Sequence, residues 1–193
     1  FAYFKSNYEN ALYESFPVNF WGDLSAQSPL FRSKYKYYKD YAKATEETIL
    51  TADELNGAIK MIGNYDRSAY LETLGNGKFE LHELPWEIQI DPINRIVVTD
   101  YNEDGNDDLL LIGNDFGNEV FVGRYDAFNG SLLKGNGKGG FEVVRTLESG
   151  FLVPGDAKDM VSLKSANGAP PYLIVSQNKD RILVFQKNDH NTD

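Results

Sequence analysis

The stretch Asp100-Tyr-Asn102-Glu-Asp104-Gly105-Asn106-Asp-Asp108 sets oxygen-bearing side chains at loop positions 1, 3, 5 and 9, with glycine at position 6. Alternate residues of a turning loop can aim their oxygens at one centre. The glycine permits the positive φ of a sharp turn, and the Asn106 carbonyl stands where a seventh-position backbone ligand is needed. Hard oxygen donors suit calcium (Ca2+), so the predicted ligand set is Asp100, Asn102, Asp104, Asn106 and Asp108. The apolar runs on either side, Ile96-Val-Val and Leu109-Leu-Leu-Ile112, predict a strand on each flank. An EF-hand is excluded: it needs flanking helices and a bidentate Glu at position 12, where this chain has Leu111. A strand–loop–strand calcium site fits. The competing reading is an acidic hairpin whose charges only solvate it.

Other chemistry finds less support. There are no cysteines, which excludes a disulfide scaffold, a thiolate metal site and cysteine catalysis. The two histidines are His82, at a strand-like position with no partner evident in the sequence, and His190, in a polar tail. A histidine triad or zinc site is therefore not expected. Asp156 and Asp159 read as solvated loop acids. Gly135-Asn-Gly-Lys-Gly-Gly140 lacks the Gly-Lys-Ser/Thr ending of a phosphate loop and reads as a turn. No catalytic residues are assigned.

The elements that position the loop repeat along the chain. Tyr65-Asp66 recurs as Tyr125-Asp126, and Gly75-Asn-Gly-Lys78 as Gly135-Asn-Gly-Lys138, each 60 residues on. Leu109-Leu-Leu-Ile112 aligns with Leu173-Ile-Val-Ser176, Val97 with Val161, and Gly113-Asn114 with Gln177-Asn178. The same alignment sets Lys164, Ala166 and Tyr172 against Asp100, Asn102 and Asp108, so only the first unit is expected to bind calcium. Each unit reads as about four short strands separated by Gly/Asn turns. The repeated Tyr-Asp pair is expected to make hydrogen bonds within each unit.

The metal loop and its Leu-Leu continuation resemble the calcium loop of FG-GAP and VCBS repeats, the blade units of integrin-α-like β-propellers. Gly113-Asn114-Asp115 replaces the Gly-Ala-Pro of the integrin pattern and moves the likeness toward the bacterial VCBS type. Gly123-Arg-Tyr-Asp-Ala127, Leu133-Lys-Gly-Asn-Gly-Lys-Gly-Gly-Phe141 and Leu74-Gly-Asn-Gly-Lys-Phe79 resemble the closing repeats of bacterial propeller proteins related to cartilage acidic protein. The resemblance covers about residues 33–187 and implies the C-terminal portion of such a propeller. It further implies an extracellular or cell-envelope location, on a bacterium.

The fold class expected is mainly β: a partial β-propeller of about two four-stranded blades with an N-terminal helical segment. Residues 1–32 are aromatic and irregular, with Pro17 and Pro29 as breakers, and are expected to pack on a surface. Residues 33–62 form a helical insertion, with Ser33 capping a first helix and Thr51-Ala-Asp-Glu54 a second. Residues 63–122 form the calcium blade, residues 123–187 a blade without calcium, and 188–193 a tail. A self-contained two-sheet β domain with a helical cap is the structural alternative.

The net charge of −10 argues against nucleic acid or an anionic membrane as partner. No run of about 18 apolar residues suggests a membrane span. The chain begins at Phe1 without an initiator Met, so it is expected to be a processed product or a piece of a longer protein. Two blades cannot close a propeller. The expected partners are therefore the remaining blades or other protein chains, with a glycan as a further candidate. The function expected is a non-catalytic, calcium-stabilised binding or scaffolding module. The alternatives are a propeller enzyme acting on carbohydrate through residues in other blades, and an architectural subunit of a cell-envelope complex.

Overall fold

The computed structural model describes residues 6–120, 122–166 and 169–187; His190 and the predicted tail lie outside them. The chain divides into two compact units, Phe1–Gly63 and Asn64–Asp193. It is mainly β, built of small antiparallel sheets, none of which closes on itself. Among the described residues no helix is long and apolar enough to cross a membrane.

The first unit is more regular at its start, and less helical at its end, than its sequence suggests. Residues expected to be irregular form a hairpin of β1 (Ser6–Glu9) and β2 (Glu14–Pro17), followed by α1 (Trp21–Gln27). Pro29 does not break structure but opens α2 (Pro29–Lys34) at the first helical position. There its missing N–H costs nothing, and the Ser28 hydroxyl accepts from the Leu30 N–H. Ser33 consequently sits inside a helix and caps none.

The long helix expected from Ser33 is replaced by α3 (Tyr38–Tyr41) and α4 (Glu46–Ile49). Ring packing overrides the helical spacing of the tyrosines. Tyr35 and Tyr37 turn extended, Trp21 packs on Tyr38 at 5.0 Å, and Tyr35 meets Tyr41 edge-on at 5.6 Å. A small core of Leu24, Phe31 and Ile49 lies beneath them. The Thr51–Glu54 capping box does form, with the Thr51 N–H donating to Glu54 Oε2 (2.8 Å) and the Glu54 N–H to Thr51 Oγ1 (3.3 Å). It starts no lasting helix, because Gly57 turns left-handed (φ +78°) within two turns. Ile59, Met61 and Ile62 are left exposed.

The second unit is a pile of three sheets. Its strands are β3 (Ala69–Gly75) and β4 (Lys78–Glu83), then β5 (Ile93–Thr99), β6 (Asp108–Gly113), β7 (Ser131–Gly135) and β8 (Phe141–Val144). After the short α5 (Thr146–Ser149) come β9 (Ala157–Leu163), β10 (Tyr172–Gln177) and β11 (Leu183–Gln186). Strands β3–β4 make a hairpin, β5–β6–β7–β8 a four-stranded meander and β9–β10–β11 a three-stranded one. The expected unit boundary at 122/123 therefore falls inside one sheet, between β6 and β7. That sheet is continuous because Leu109, Leu110 and Leu111 pair with Leu133, Leu132 and Ser131.

Strand β6 is apolar from Leu109 to Ile112 and is covered on both faces. Leu110 and Ile112 join Leu132, Phe151, Val153, Met160 and Val175 in a core shared with β9 and β10. Leu111 and Leu133 join Leu84, Ile88 and Phe128 on the opposite side, with Tyr70 of the hairpin packed against them. A continuous apolar run, not an alternating one, is what a strand buried on both faces requires. The four-stranded sheet is thus the middle layer.

Candidate functional site

The predicted ligands all lie between Thr99, the last residue of β5, and Asp108, the first of β6. Asp108 is the fixed point. It is almost wholly buried (1% exposed), and each carboxylate oxygen is held: Oδ2 accepts from the Tyr101 N–H at 2.9 Å and Oδ1 from the Gly135 N–H at 2.8 Å. A buried carboxylate is tolerated only with such partners. Gly135 is required there, since a Cβ would stand 2.1 Å from the Asp107 carbonyl oxygen.

The exposed part of the loop folds inward on itself. Asp100 Oδ1 and Asn102 Oδ1 both accept from the Asp104 N–H at 3.1 Å, and Asp100 Oδ2 accepts from the Gly105 N–H at 2.9 Å. Gly105 takes the positive φ expected of it (+84°), and so does Glu103 (+63°). Asp104 accepts from the Asn106 N–H and the Asn102 and Asn106 amides at 2.8–2.9 Å, and pairs with Lys134 at 3.4 Å. The Asn102 amide and the Asn106 N–H, chiefly, hold its carboxyl below the usual carboxylate range.

In kind and in loop order the donors fit a hard cation. Their present positions differ from the predicted cage: among the described residues no three His, Cys, Asp or Glu side chains gather closely enough to hold an ion. The Asp104 oxygens face the neighbouring amides and Lys134, while those of Asp100 and Asp108 face backbone N–H groups. Bringing Asp104 into a ligand set with Asp100 and Asp108 means exchanging that exposed, solvent-screened ion pair for the ion.

The loop is seated on the Gly-rich stretch, which is the turn expected and not a phosphate loop. Asn136 Oδ1 accepts from the Lys138 and Gly140 N–H groups at 2.8 and 2.9 Å. A side chain at Gly137 would strike Asn106 Oδ1. The same turn meets the hairpin through Gly139, whose carbonyl accepts from the Tyr70 hydroxyl.

Several polar residues hold places in the fold that the sequence reading did not assign them. Asn114, fully buried and left-handed (φ +79°), donates to the Phe128 and Gly155 carbonyls at 2.6 and 3.0 Å and accepts from the Phe128 N–H at 3.0 Å. Asn94 donates to the Asn114 and Ala157 carbonyls at 2.8 and 2.7 Å, tying the middle sheet to the start of β9. Asp156 is not a solvated loop acid. It is 2% exposed, lies 2.6 Å from Lys158 Nζ and accepts from the Asn178 amide at 3.0 Å. Burial opposes its charge, but Lys158 and Asn178 outweigh burial and hold its carboxyl below the usual range, while Lys158 is raised. Asp159 is solvated but pairs with Arg95 at 3.2 Å.

His82 does have a partner. It stacks on Tyr70, and its Nε2 lies 2.9 Å from Glu72 Oε2, diagonally across the hairpin. Of the repeated Tyr-Asp pairs, Tyr125 bonds through its backbone, exchanging two 2.9 Å hydrogen bonds with Asp115. Compared with known proteins, the chain matches no family model, no curated protein and no solved structure.

Proposed function

We propose that the chain is a segment of a β-propeller of the FG-GAP/VCBS kind, stabilised by calcium in the Asp100–Asp108 loop, that works as a binding or scaffolding module outside the cytoplasm. The observation that carries the reading is the loop itself. Asp108 is clamped at its base by two backbone N–H groups, and Asp100 and Asn102 turn their oxygens into the loop toward Asp104. Calcium bound there would offset the mutual repulsion of the carboxylates and couple its binding energy to folding. Millimolar calcium on a bacterial surface or in the surrounding medium would keep even a weak site filled.

The partner side of the reading is supported by the two outer sheet faces. Val161, Leu163, Tyr172 and Val184 are exposed on one, and Leu71, Phe79 and Leu81 on the other. In the alignment of the two units, Val97, Leu110 and Leu132 of the middle sheet correspond to Val161, Ile174 and Val184. The former pack beneath the next sheet; the latter do not. Such faces suit further blades or a partner protein, and a protein or glycan is the ligand class of the completed module.

Terbium tests the site, because Tyr101 stands within the loop and can sensitise a bound lanthanide. Titration should give tyrosine-excited terbium emission that calcium displaces, and the exposed-site variant Asp104→Ala should abolish it. Emission that is absent, or unchanged in Asp104→Ala, would remove the metal from the reading.

A further inference from the structure

Lys134 of β7 turns toward the metal loop, with its Nζ 3.4 Å from Asp104 Oδ2. Of the predicted ligands, Asp104 alone among the described residues has a cationic side chain within ion-pairing distance. The lysine has another carboxylate to hand, since Glu142 stands directly across from it in the β7–β8 register. Such cross-strand pairs of opposite charge are favourable, yet the ion pair is made with the loop.

The repeat shows what this position does when the loop is not acidic. Leu109↔Leu133 and Leu110↔Leu132 between β6 and β7 match Leu173↔Phe185 and Ile174↔Val184 between β10 and β11. Lys134, next after Leu133, therefore corresponds to Gln186, next after Phe185. The Gln186 amide also reaches the connection before its neighbouring strand, donating to the Pro170 carbonyl at 3.0 Å. Both side chains thus tie their strand to the preceding strand-to-strand connection. Where Lys164, Ala166 and Tyr172 replace Asp100, Asn102 and Asp108, a neutral amide serves. A tie alone does not require charge; the lysine accompanies the carboxylates.

We propose, on the reading of the loop as a calcium site, that Lys134 is a tethered competitor of the metal: its ammonium neutralises Asp104 when no metal is bound and leaves when a cation takes that carboxylate. A compact charge on a flexible stem suits the role, and the half-exposed side chain can swing into solvent without disturbing β7. The competitor sets the site to a weak affinity, so that it fills in calcium-rich surroundings and empties as calcium falls. Removing the charge removes both the ion pair that calcium must break and a repulsion toward the divalent ion.

The test is the Kd for terbium, and for calcium displacing it, in the whole chain as wild type, Lys134→Gln, Lys134→Arg and Lys187→Gln. Lys134→Gln, which installs the residue of the second unit, should bind about tenfold more tightly, and Lys134→Arg should bind as the wild type does. Lys187 pairs with Glu103 at 2.6 Å, which is not a predicted ligand, so Lys187→Gln should shift the Kd less. A wild type that binds while Lys134→Gln binds no more tightly would overturn the competitor and leave the calcium site standing. Equal tightening in Lys187→Gln would also overturn it, by showing that the general field of the lysines sets the affinity. Absence of binding in both the wild type and Lys134→Gln would overturn the calcium site and the competitor together.

Discussion

At the scale of single residues, stability is concentrated in buried polar groups that bond across long stretches of chain. Asn114 satisfies two carbonyls and one N–H from a left-handed backbone position that asparagine tolerates better than most residues. Replacing it with Ala removes all three bonds and leaves the strained backbone in place. Asn114→Ala should lower the unfolding free energy by about 3 kcal/mol, measured by urea titration, and a loss below about 1 kcal/mol would show that the network is not what holds the sheets together. The metal loop was legible in the sequence because its meaning lies in the spacing of neighbours, within nine residues. Asn114 was not, because its partners are 14 and 41 residues away and nothing local distinguishes it from a turn asparagine. Asp156 was misread for the same reason: its neighbours in sequence look solvated, while the fold buries it.

At the scale of elements, the ends of the strands are where charge matters. Asp156 closes the start of β9 onto Asn178, just past the end of β10: its carboxylate accepts from the Asn178 amide, and its backbone carbonyl accepts from the Asn178 N–H at 2.8 Å. Its folded pKa lies below the ordinary value of 3.8, so its contribution is complete above that pH and is lost as the pH falls through the folded value. The contribution of Lys158, raised above 10.5, is complete below that pH and disappears only in strong alkali. Between pH 5 and 8, Asp156→Asn should therefore cost about 1–3 kcal/mol, tempered by the partial solvation of Lys158. The deficit should shrink as the pH falls from 3.8 through the lower folded pKa, in stability measured across a pH series; a deficit that stays constant as the carboxyl is protonated would show that the charge is not responsible. The strands were the legible elements, since a run such as Leu109–Ile112 between turn residues has few other readings. The helices were not. Tyr35, Tyr38 and Tyr41 keep helical spacing, but ring-on-ring packing with Trp21 and the burial of Phe31 and Ile49 break the segment into single turns. Burial, with Tyr35 and Asp23 close by, pushes the Tyr41 hydroxyl up to about 12, consistent with a ring serving as structure.

At the scale of the whole molecule, the second unit is organised by repetition: a hairpin, a four-stranded sheet and a three-stranded sheet, with the middle one buried on both faces. The turn pairs at Gly75 and Gly135 signalled this order, since both join the last two strands of a sheet. The division point did not show, because a repeat identifies a period but not where along it each sheet begins. The central claim is that calcium in the Asp100–Asp108 loop stabilises this arrangement, and thermal melting of the wild type and of Asp104→Ala, each in millimolar calcium and in excess chelator, tests it most directly. The account predicts that calcium raises the wild-type Tm by on the order of 5–10 °C, as expected for a site about a hundredfold above its Kd, and leaves Asp104→Ala unmoved. A wild type that melts at the same temperature with and without chelator, or a variant that responds as the wild type does, would contradict it.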